Sequence, residues 1–331
     1  MKGIAWLPAL IGAAVSVGLV RSGFAGFLFL LPLGVVAYCH NPGTAWCAAA
    51  VSALGNALWD LAAGRFQPYP VPPWADILYL TVVIVAFAWI TSPPERGGAF
   101  LRMPAAYRIV ASAVVTSLVM ALALRFARDG RDLRSLFRSQ AELLASLYAA
   151  ASGADEVRRS LTERYMTADA IQEILRSAAL RGGMAASCVA LFVASRQLSL
   201  VAAALIRRKR PVGSLALFHV WPGCIWALSF SLLSVVGGLN FGIAPLEIAG
   251  WNILVLCGIL YLAQGGGIAV FFLSRLPPGT RFVLNLGVLA VILSPGINAI
   301  FMGVLILLGI AENWAPLRAP KPNGPPPTPG A

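Results

Sequence analysis

Charged residues are scarce in this chain. They make up 11% of its 331 residues, against roughly 25% in a typical soluble domain. Histidine occurs only twice, and the five cysteines lie in or beside apolar runs without paired spacing, so we expect no disulfide framework, no metal site and no other cofactor. The sequence also has no Walker loop, no G-x-S-x-G and no H-E-x-x-H motif, and we therefore assign it no catalytic residue and no enzymatic activity.

Long apolar runs dominate instead, with 59% hydrophobic residues and a mean hydropathy of +0.79. The run from Ile248 to Leu273 has no charged residue and is long enough, as a helix, to cross a bilayer, which needs about 20 apolar residues. The sequence predicts an all-α polytopic membrane protein in contact with lipid. It has about ten hydrophobic segments: residues 4–20, 23–39, 44–63, 74–90, 105–124, 184–206, 219–238, 248–274, 282–294 and 297–311.

Composition divides the chain into four parts. Residues 1–124 are predicted to form an N-terminal membrane bundle of five spans, and residues 184–315 a C-terminal membrane bundle. Residues 125–183 between them are polar and are predicted to form an extracytoplasmic insert of amphipathic helices. Residues 316–331 are rich in proline and predicted to be disordered. The break at residues 294–296 leaves open whether residues 282–311 form one helix or a short hairpin.

Three helices are expected in the insert. The second follows Gly153, and the third begins near Asp169, whose side chain is expected to form a capping pair with Gln172. The third helix is expected to bury Ile171, Ile174 and Leu175. The first is predicted from apolar residues that recur at helical spacing, namely Leu133, Leu136, Phe137, Leu143, Leu144, Leu147 and Tyr148.

Lysine and arginine are concentrated in alternate connections between the apolar segments, as in the basic cluster at residues 207–210. The positive-inside rule makes that side cytoplasmic, with both termini inside and the insert outside. The first apolar run follows Lys2 and is expected to be a retained first helix, since a second span begins at Gly23. The basic clusters indicate contact with lipid headgroups and no nucleic-acid partner.

Residues at fixed spacing in the C-terminal part form a pattern that resembles that of a known protein family. An Asn is followed in a long apolar helix by Tyr-x-x-Gln-Gly, and the last span closes on Gly-x-x-acid-x-Trp-x-x-x-Arg, with an earlier Trp-Pro. This pattern resembles the YybS-like family of uncharacterised bacterial multi-pass membrane proteins, in which the acid is usually Asp. The matching residues are Asn252, Tyr261, Gln264, Gly265, Gly309, Glu312, Trp314, Arg318, Trp221 and Pro222.

The resemblance implies a multi-pass protein of the bacterial cytoplasmic (inner) membrane. The family is similar in layout to the substrate-binding subunits of energy-coupling transporters and to rod-shape membrane proteins of the MreD type. On that basis the chain is expected to be a membrane binding or transport component for an unidentified small molecule. The alternative is a non-transporting envelope scaffold or assembly factor that holds protein partners.

Four polar residues inside apolar segments are the candidate ligand-binding residues: Arg196, Asn252, Tyr261 and Gln264. Tyr261 and Gln264 share a helix face, whereas Asn252 lies about 120° around the helix. In a ligand-binding role Tyr261 and Gln264 would face a cavity. In a packing role they would contact a neighbouring helix. A cavity at membrane depth would favour the transport component, and solid packing would favour the scaffold.

Arg196 lies near the middle of its predicted span, where a cation costs roughly 2.5–3.5 kcal/mol. We expect it to meet an anionic ligand or one of the acids nearest membrane depth, Asp60, Asp76 or Glu312. The alternative is a structural ion pair, or a side chain that reaches the membrane surface.

Small residues recur in the first span at Ala9, Gly12, Ala13 and Ser16. This spacing lets helices approach closely, so the face suits either a protein partner in the membrane or another helix of the same chain.

Overall fold

The computed structural model describes residues 5–22, 26–63, 73–92, 103–126, 138, 140–147, 167–207, 215–294 and 296–318. Within these ranges the chain is helical and contains no strand, which confirms the all-α prediction. Besides a short helical stretch at residues 140–147, we number the helices α1 (Trp6–Arg21), α2 (Leu30–Cys39), α3 (Pro42–Ala63), α4 (Pro73–Thr91), α5 (Ala105–Phe126), α6 (Ala168–Ala178), α7 (Met184–Arg207), α8 (Cys224–Phe241), α9 (Ala244–Ser274), α10 (Pro278–Leu293) and α11 (Ile297–Ala311).

Among the described residues, five helical runs are long and apolar enough to cross a membrane, or six if α10 and α11 count as one bent span. The prediction of about ten segments is therefore not supported. The 16 residues of α1 and the 10 of α2 extend only about 24 and 15 Å, against about 30 Å of hydrocarbon. α3 has 22 residues but carries Asn56 and Asp60 in its second half.

The chain divides into two compact units, Met1–Pro211 and Val212–Ala331. α7 belongs to the first unit, whereas the sequence analysis placed it in the C-terminal bundle. Its position follows from its partners, since Ser199 donates to the Leu31 carbonyl of α2 at 3.2 Å. Phe192 of α7 also stacks on Phe87 of α4, with ring centroids 6.5 Å apart.

In the first unit α1 and α3 run parallel. The two helices are bonded along their whole length: the Ala5 backbone N–H donates to Thr44 Oγ1 at 3.1 Å, and Ser52 Oγ to Ser16 Oγ at 3.0 Å. At the far end Arg21 of α1 reaches α3. α2, which connects them in the sequence, brings the chain back to the end at which α1 begins, so that α3 can run parallel to α1.

The small-residue face of α1 is occupied within the chain. Ala9, Gly12, Ala13 and Ser16 are the buried residues of this helix. A methyl group on Gly12 would meet Val36 of α2, and Ser16 is bonded to α3. The face therefore packs internally and is not presented to a protein partner.

Only part of the predicted insert can be compared with the structure. Most of the first predicted helix and all of the second lie outside the described residues. α6 is the third, and its N-cap is Thr167, whose side chain accepts a hydrogen bond from the Ala170 backbone N–H, rather than the expected pair of Asp169 and Gln172. Of its three apolar residues only Ile171 is buried, since Leu175 is half-buried and Ile174 is 59% exposed. Between α6 and α7 the backbone breaks at Gly182, whose φ of 101° favours glycine.

In the second unit, tight backbone contacts join α8 to α9. A side chain on Gly250 would lie 2.8 Å from the Val235 backbone nitrogen. The link between the helices is short, because Gly242 ends α8 in the left-handed conformation, with a φ of 68°. Pro245 then begins α9 within its first turn, where the proline ring costs no hydrogen bond.

The last apolar region forms two helices, α10 and α11, bent by 115°. The break falls at the predicted Ser294–Gly296 position, so the region is not one straight helix. α11 packs on α9 through two glycines: a methyl group on Gly265 would collide with the Leu305 carbonyl oxygen, and one on Gly309 with the Tyr261 carbonyl. The predicted start of the disordered tail at residue 316 is too early, because the structure describes residues 316–318 and the Arg318 side chain is buried.

Gly265→Ala is expected to lower the free energy of unfolding by about 1–3 kcal/mol, because a rigid backbone oxygen occupies the space that the new methyl group needs. Gly258→Ala is the matched control on the same helix, since nothing lies within 4 Å of a methyl group there. Thermal unfolding of both variants in detergent measures the difference. Equal stability of the two variants would contradict the close α9–α11 contact.

Candidate functional site

Gln264 of α9 is buried, at 2% exposure. Its Oε1 accepts a hydrogen bond from the Val220 backbone N–H at 2.6 Å. Its Nε2 donates to the Gly309 carbonyl and to Glu312 Oε2, both at 3.0 Å. Because a side-chain amide has two N–H donors, both are used.

Arg318 and Glu312 form a buried, two-pronged ion pair. Arg318 Nε lies 2.6 Å from Glu312 Oε1 and Nη2 lies 2.5 Å from Oε2, with the two side chains 5% and 3% exposed. Arg318 Nη1 also donates to the Ala216 carbonyl at 2.6 Å and Nη2 to the Phe218 carbonyl at 2.8 Å. We call Gln264, Glu312 and Arg318 the C-terminal polar cluster.

Two further polar groups border this cluster. His219 is 60% exposed on its side chain, and its Nε2 lies 3.8 Å from Glu312 Oε1. Tyr261 is fully buried, and its hydroxyl accepts a hydrogen bond from Asn313 Nδ2 at 3.4 Å. The cluster is therefore exposed on the His219 side and buried on the Tyr261 side.

The sequence produces this cluster by bringing three elements together. Gln264 projects from the face of α9 that touches α11, and Gly265 and Gly309 allow the two backbones to meet there. Glu312 directly follows α11. Residues 215–220 supply carbonyl groups that lie outside any long helix and can therefore accept bonds from Arg318.

The contacts of the C-terminal polar cluster match the packing interpretation of Gln264 and Tyr261. No side-chain atom of the cluster appears among the buried polar atoms that lack a hydrogen-bond partner in the described residues. A cluster whose buried side-chain atoms each have a partner in the described residues can hold α9, α11 and residues 215–220 together, and this favours a packing role.

The other predicted motif residues lie apart from this cluster. Asn252 is half-buried and donates to the Ile248 carbonyl of its own helix at 2.8 Å. Trp221 and Trp314 are 68% and 71% exposed. Pro222 lies in the turn before α8.

Arg196 lies in the first unit, next to an arginine that the sequence analysis missed. Arg196 and Arg108 of α5 both lie close enough to the Tyr38 hydroxyl of α2, and to each other, for their charges to interact. Arg108 is 4% exposed, and its Nη1 donates to the carbonyls of Trp89 at 2.8 Å and Ser92 at 2.6 Å. We call Tyr38, Arg108 and Arg196 the arginine cluster.

The arginine cluster lies at the end of the bundle where α2 and α4 end and α5 begins. Arg108 is one turn from the start of α5 and binds the last carbonyls of α4. α5 and α7 run antiparallel: Ser117 of α5 contacts Cys188 of α7 at 3.8 Å, and Arg108, nine residues before Ser117, lies close to Arg196, eight residues after Cys188. Arg196 is midway along the 24 residues of α7, and its midspan position in a membrane stays a prediction.

Several buried polar atoms of this region lack a hydrogen-bond partner among the described residues. They are Arg108 Nε, Arg196 Nε, Ser112 Oγ and Thr116 Oγ1. Ser112 and Thr116 follow Arg108 at intervals of four residues, so all three lie on one face of α5. This polar spacing in an apolar helix was the sequence signal that could have located Arg108.

The acids expected to pair with Arg196 have other partners. Asp60 is 2.5 Å from Arg21 Nη1 across α1 and α3, and Asp76 is close enough to interact with both groups electrostatically. Glu312 binds Arg318. In the part of the chain that the structure describes, no carboxylate forms an ion pair with Arg108 or Arg196.

No protein-family model, curated protein or solved structure matches this chain. The resemblance to the YybS-like family stays a prediction.

Arg318→Gln is expected to lower the free energy of unfolding by about 3–5 kcal/mol, because it leaves the buried Glu312 carboxylate without its cation. The double variant Glu312→Gln/Arg318→Gln is expected to recover part of this loss, since it removes both charges. Thermal or denaturant unfolding measures the two effects. A loss of unfolding free energy in the double variant that equals or exceeds the summed losses of Arg318→Gln and Glu312→Gln measured singly would contradict a coupled buried pair.

Proposed function

We propose that the protein is a membrane binding or transport component that holds an anionic ligand in its first unit through Arg196 and Arg108. The observation that carries this proposal is the pairing of the buried Arg108 with the half-buried Arg196, whose Nε is itself buried, with no carboxylate bonded to either arginine among the described residues. Two like charges repel each other and lose hydration on burial, so this arrangement becomes favourable when an anion lies between them.

The C-terminal polar cluster has a different role in this proposal. Gln264 and Tyr261, which were candidate ligand-binding residues, position α9 against α11. The cation of Arg318 is already neutralised by Glu312, so a second anion would gain little there. Arg196 is thus the only one of the four candidate residues that we keep as a ligand-binding residue.

The envelope scaffold is the weaker candidate. It relied on the small-residue face of α1, which packs within the chain. It also relied on the insert, of which residues 127–137 and 148–166 lie outside the described ranges. The solid packing around Gln264 is compatible with a scaffold. A scaffold role, however, gives no reason for the unpaired positive charge of the arginine cluster.

Oxyanions are expected to stabilise the purified protein against heat relative to chloride at equal ionic strength, because they bind the folded arginine cluster and not the unfolded chain. At 100 times its Kd a ligand adds about 2.7 kcal/mol. Arg196→Gln should abolish the shift, whereas Arg275→Gln, which removes an exposed arginine that lies over the Phe271 ring, should keep it.

The same variants separate binding from a structural role. Without an oxyanion, Arg196→Gln should melt at or above the temperature of the native protein, because it relieves the repulsion of Arg108. Equal oxyanion shifts in the Arg196→Gln and Arg275→Gln variants, or no shift in the native protein, would contradict the proposed function.

A further inference from the structure

The charge of the arginine cluster narrows the class of anion. Arg108 and Arg196 together carry two positive charges, and no carboxylate among the described residues is bonded to them. A carboxylate or a phosphodiester carries one negative charge and would neutralise half of this. A phosphate monoester carries about −1.5 to −2 at pH 7, which matches the pair.

The unpartnered atoms point the same way. Arg108 Nε, Arg196 Nε and Ser112 Oγ are buried polar groups with no protein partner in the described ranges, and each can donate a hydrogen bond. They come from α5 and α7, so they reach the cluster from two helices. A terminal phosphate has three oxygens that accept such bonds, and arginine binds these oxygens in a planar, two-pronged geometry.

From the charge and these donors, the geometry points to a phosphate-monoester site formed by Arg108, Arg196 and Ser112. This inference rests on the proposed function and specifies its ligand. Arg108 is already positioned by the carbonyls of Trp89 and Ser92, so its guanidinium is oriented before the phosphate arrives.

The location of the site leaves two sources for the phosphate. The cluster lies where α4 ends and α5 begins, at one end of the bundle. At that level a phosphate can come from a lipid headgroup with a terminal phosphate or from a water-soluble phosphate monoester. The binding chemistry is the same in both cases, and the experiment below distinguishes them.

The test measures the melting temperature of the full-length protein in phosphate-free buffer with added inorganic phosphate, sulfate or acetate at equal ionic strength. Phosphate and sulfate should raise the melting temperature by several degrees and acetate should not. The phosphate shift should grow from pH 5.5 to pH 7.5, because inorganic phosphate, whose second pKa is near neutrality, gains negative charge across this range. The sulfate shift should stay constant, since its charge does not change.

The constant charge of sulfate also controls for the protein's own titration. The described charged and titratable groups that face the site are Arg108, Arg196 and Tyr38, and α4 contributes only backbone carbonyls. His40 lies two residues from Tyr38 along the chain. A sulfate shift that followed pH as the phosphate shift does would assign the pH effect to the protein and overturn the phosphate assignment.

Two variants test the donors. Arg108→Gln should remove the phosphate shift, and Ser112→Ala should weaken phosphate binding several-fold while leaving the melting temperature without phosphate nearly unchanged, because its hydroxyl has no protein partner. Should Arg108→Gln fail to fold, Arg196→Gln decides the question, because a full phosphate shift in that variant would overturn the inference. A Ser112→Ala variant that bound phosphate like the native protein would remove Ser112 from the site.

Glu95 is the only carboxylate in residues 93–102, which precede α5 and lie outside the described ranges. If it supplied the missing negative charge, Glu95→Gln would acquire a phosphate shift that the native protein lacks, and that result would overturn the inference. We expect Glu95→Gln and the native protein to show the same shift.

Lipid nanodiscs distinguish the two sources. A melting temperature raised by phosphatidic acid, which has a terminal phosphate, but not by phosphatidylglycerol at the same charge density assigns a lipid headgroup. A shift with glycerol phosphate alone assigns a soluble ligand. Equal shifts with acetate and phosphate would refute the phosphate class but leave anion binding intact, whereas no shift with any anion would refute both.

Discussion

A polar side chain buried between membrane helices must find its partner within the protein, because hydrocarbon offers none. The two units of this chain meet that constraint in different ways. In the second unit Arg318 and Glu312 neutralise each other, and Gln264 bonds both the pair and the backbone. In the first unit Arg108 and Arg196 lie together with buried donors unpartnered among the described residues. This difference is why we propose a ligand for the first unit and not for the second.

The C-terminal polar cluster specifies how the second unit is assembled. A buried ion pair adds little net stability compared with apolar packing, but breaking it is costly. Since Arg318 also binds the carbonyls of Ala216 and Phe218, only one register of α11 against α9 satisfies every group. The close approach of Gly265 and Gly309 depends on the same register, so polar bonding and glycine packing favour one arrangement.

The sequence predicted the helical class and the break at Ser294–Gly296. Tyr261, Gln264, Gly265, Gly309, Glu312 and Arg318 are indeed neighbours. Their spacing could not show that the Glu312 carboxylate would pair with the Arg318 guanidinium six residues later and so leave neither charge for a ligand. That outcome depends on how the chain turns after α11, and the turn is set by tertiary contacts.

The sequence could not locate the partners of Arg196, because they come from helices far apart in the chain. Arg108 lies near the start of its predicted span, where an arginine usually marks topology, so its position alone did not single it out. The number of spans was overestimated for a related reason. α1, α2 and α3 are apolar enough to pack on one another, yet they are too short or too polar to satisfy the length and hydropathy of a membrane span.

The most direct test of this account is native mass spectrometry of the protein extracted in mild detergent. We predict that a phosphorus-containing molecule remains bound to the native protein and is absent from the Arg196→Gln variant prepared in the same way. The same bound mass on both proteins, or a native protein that carries no such molecule, would contradict the claim that the arginine cluster holds an anionic ligand.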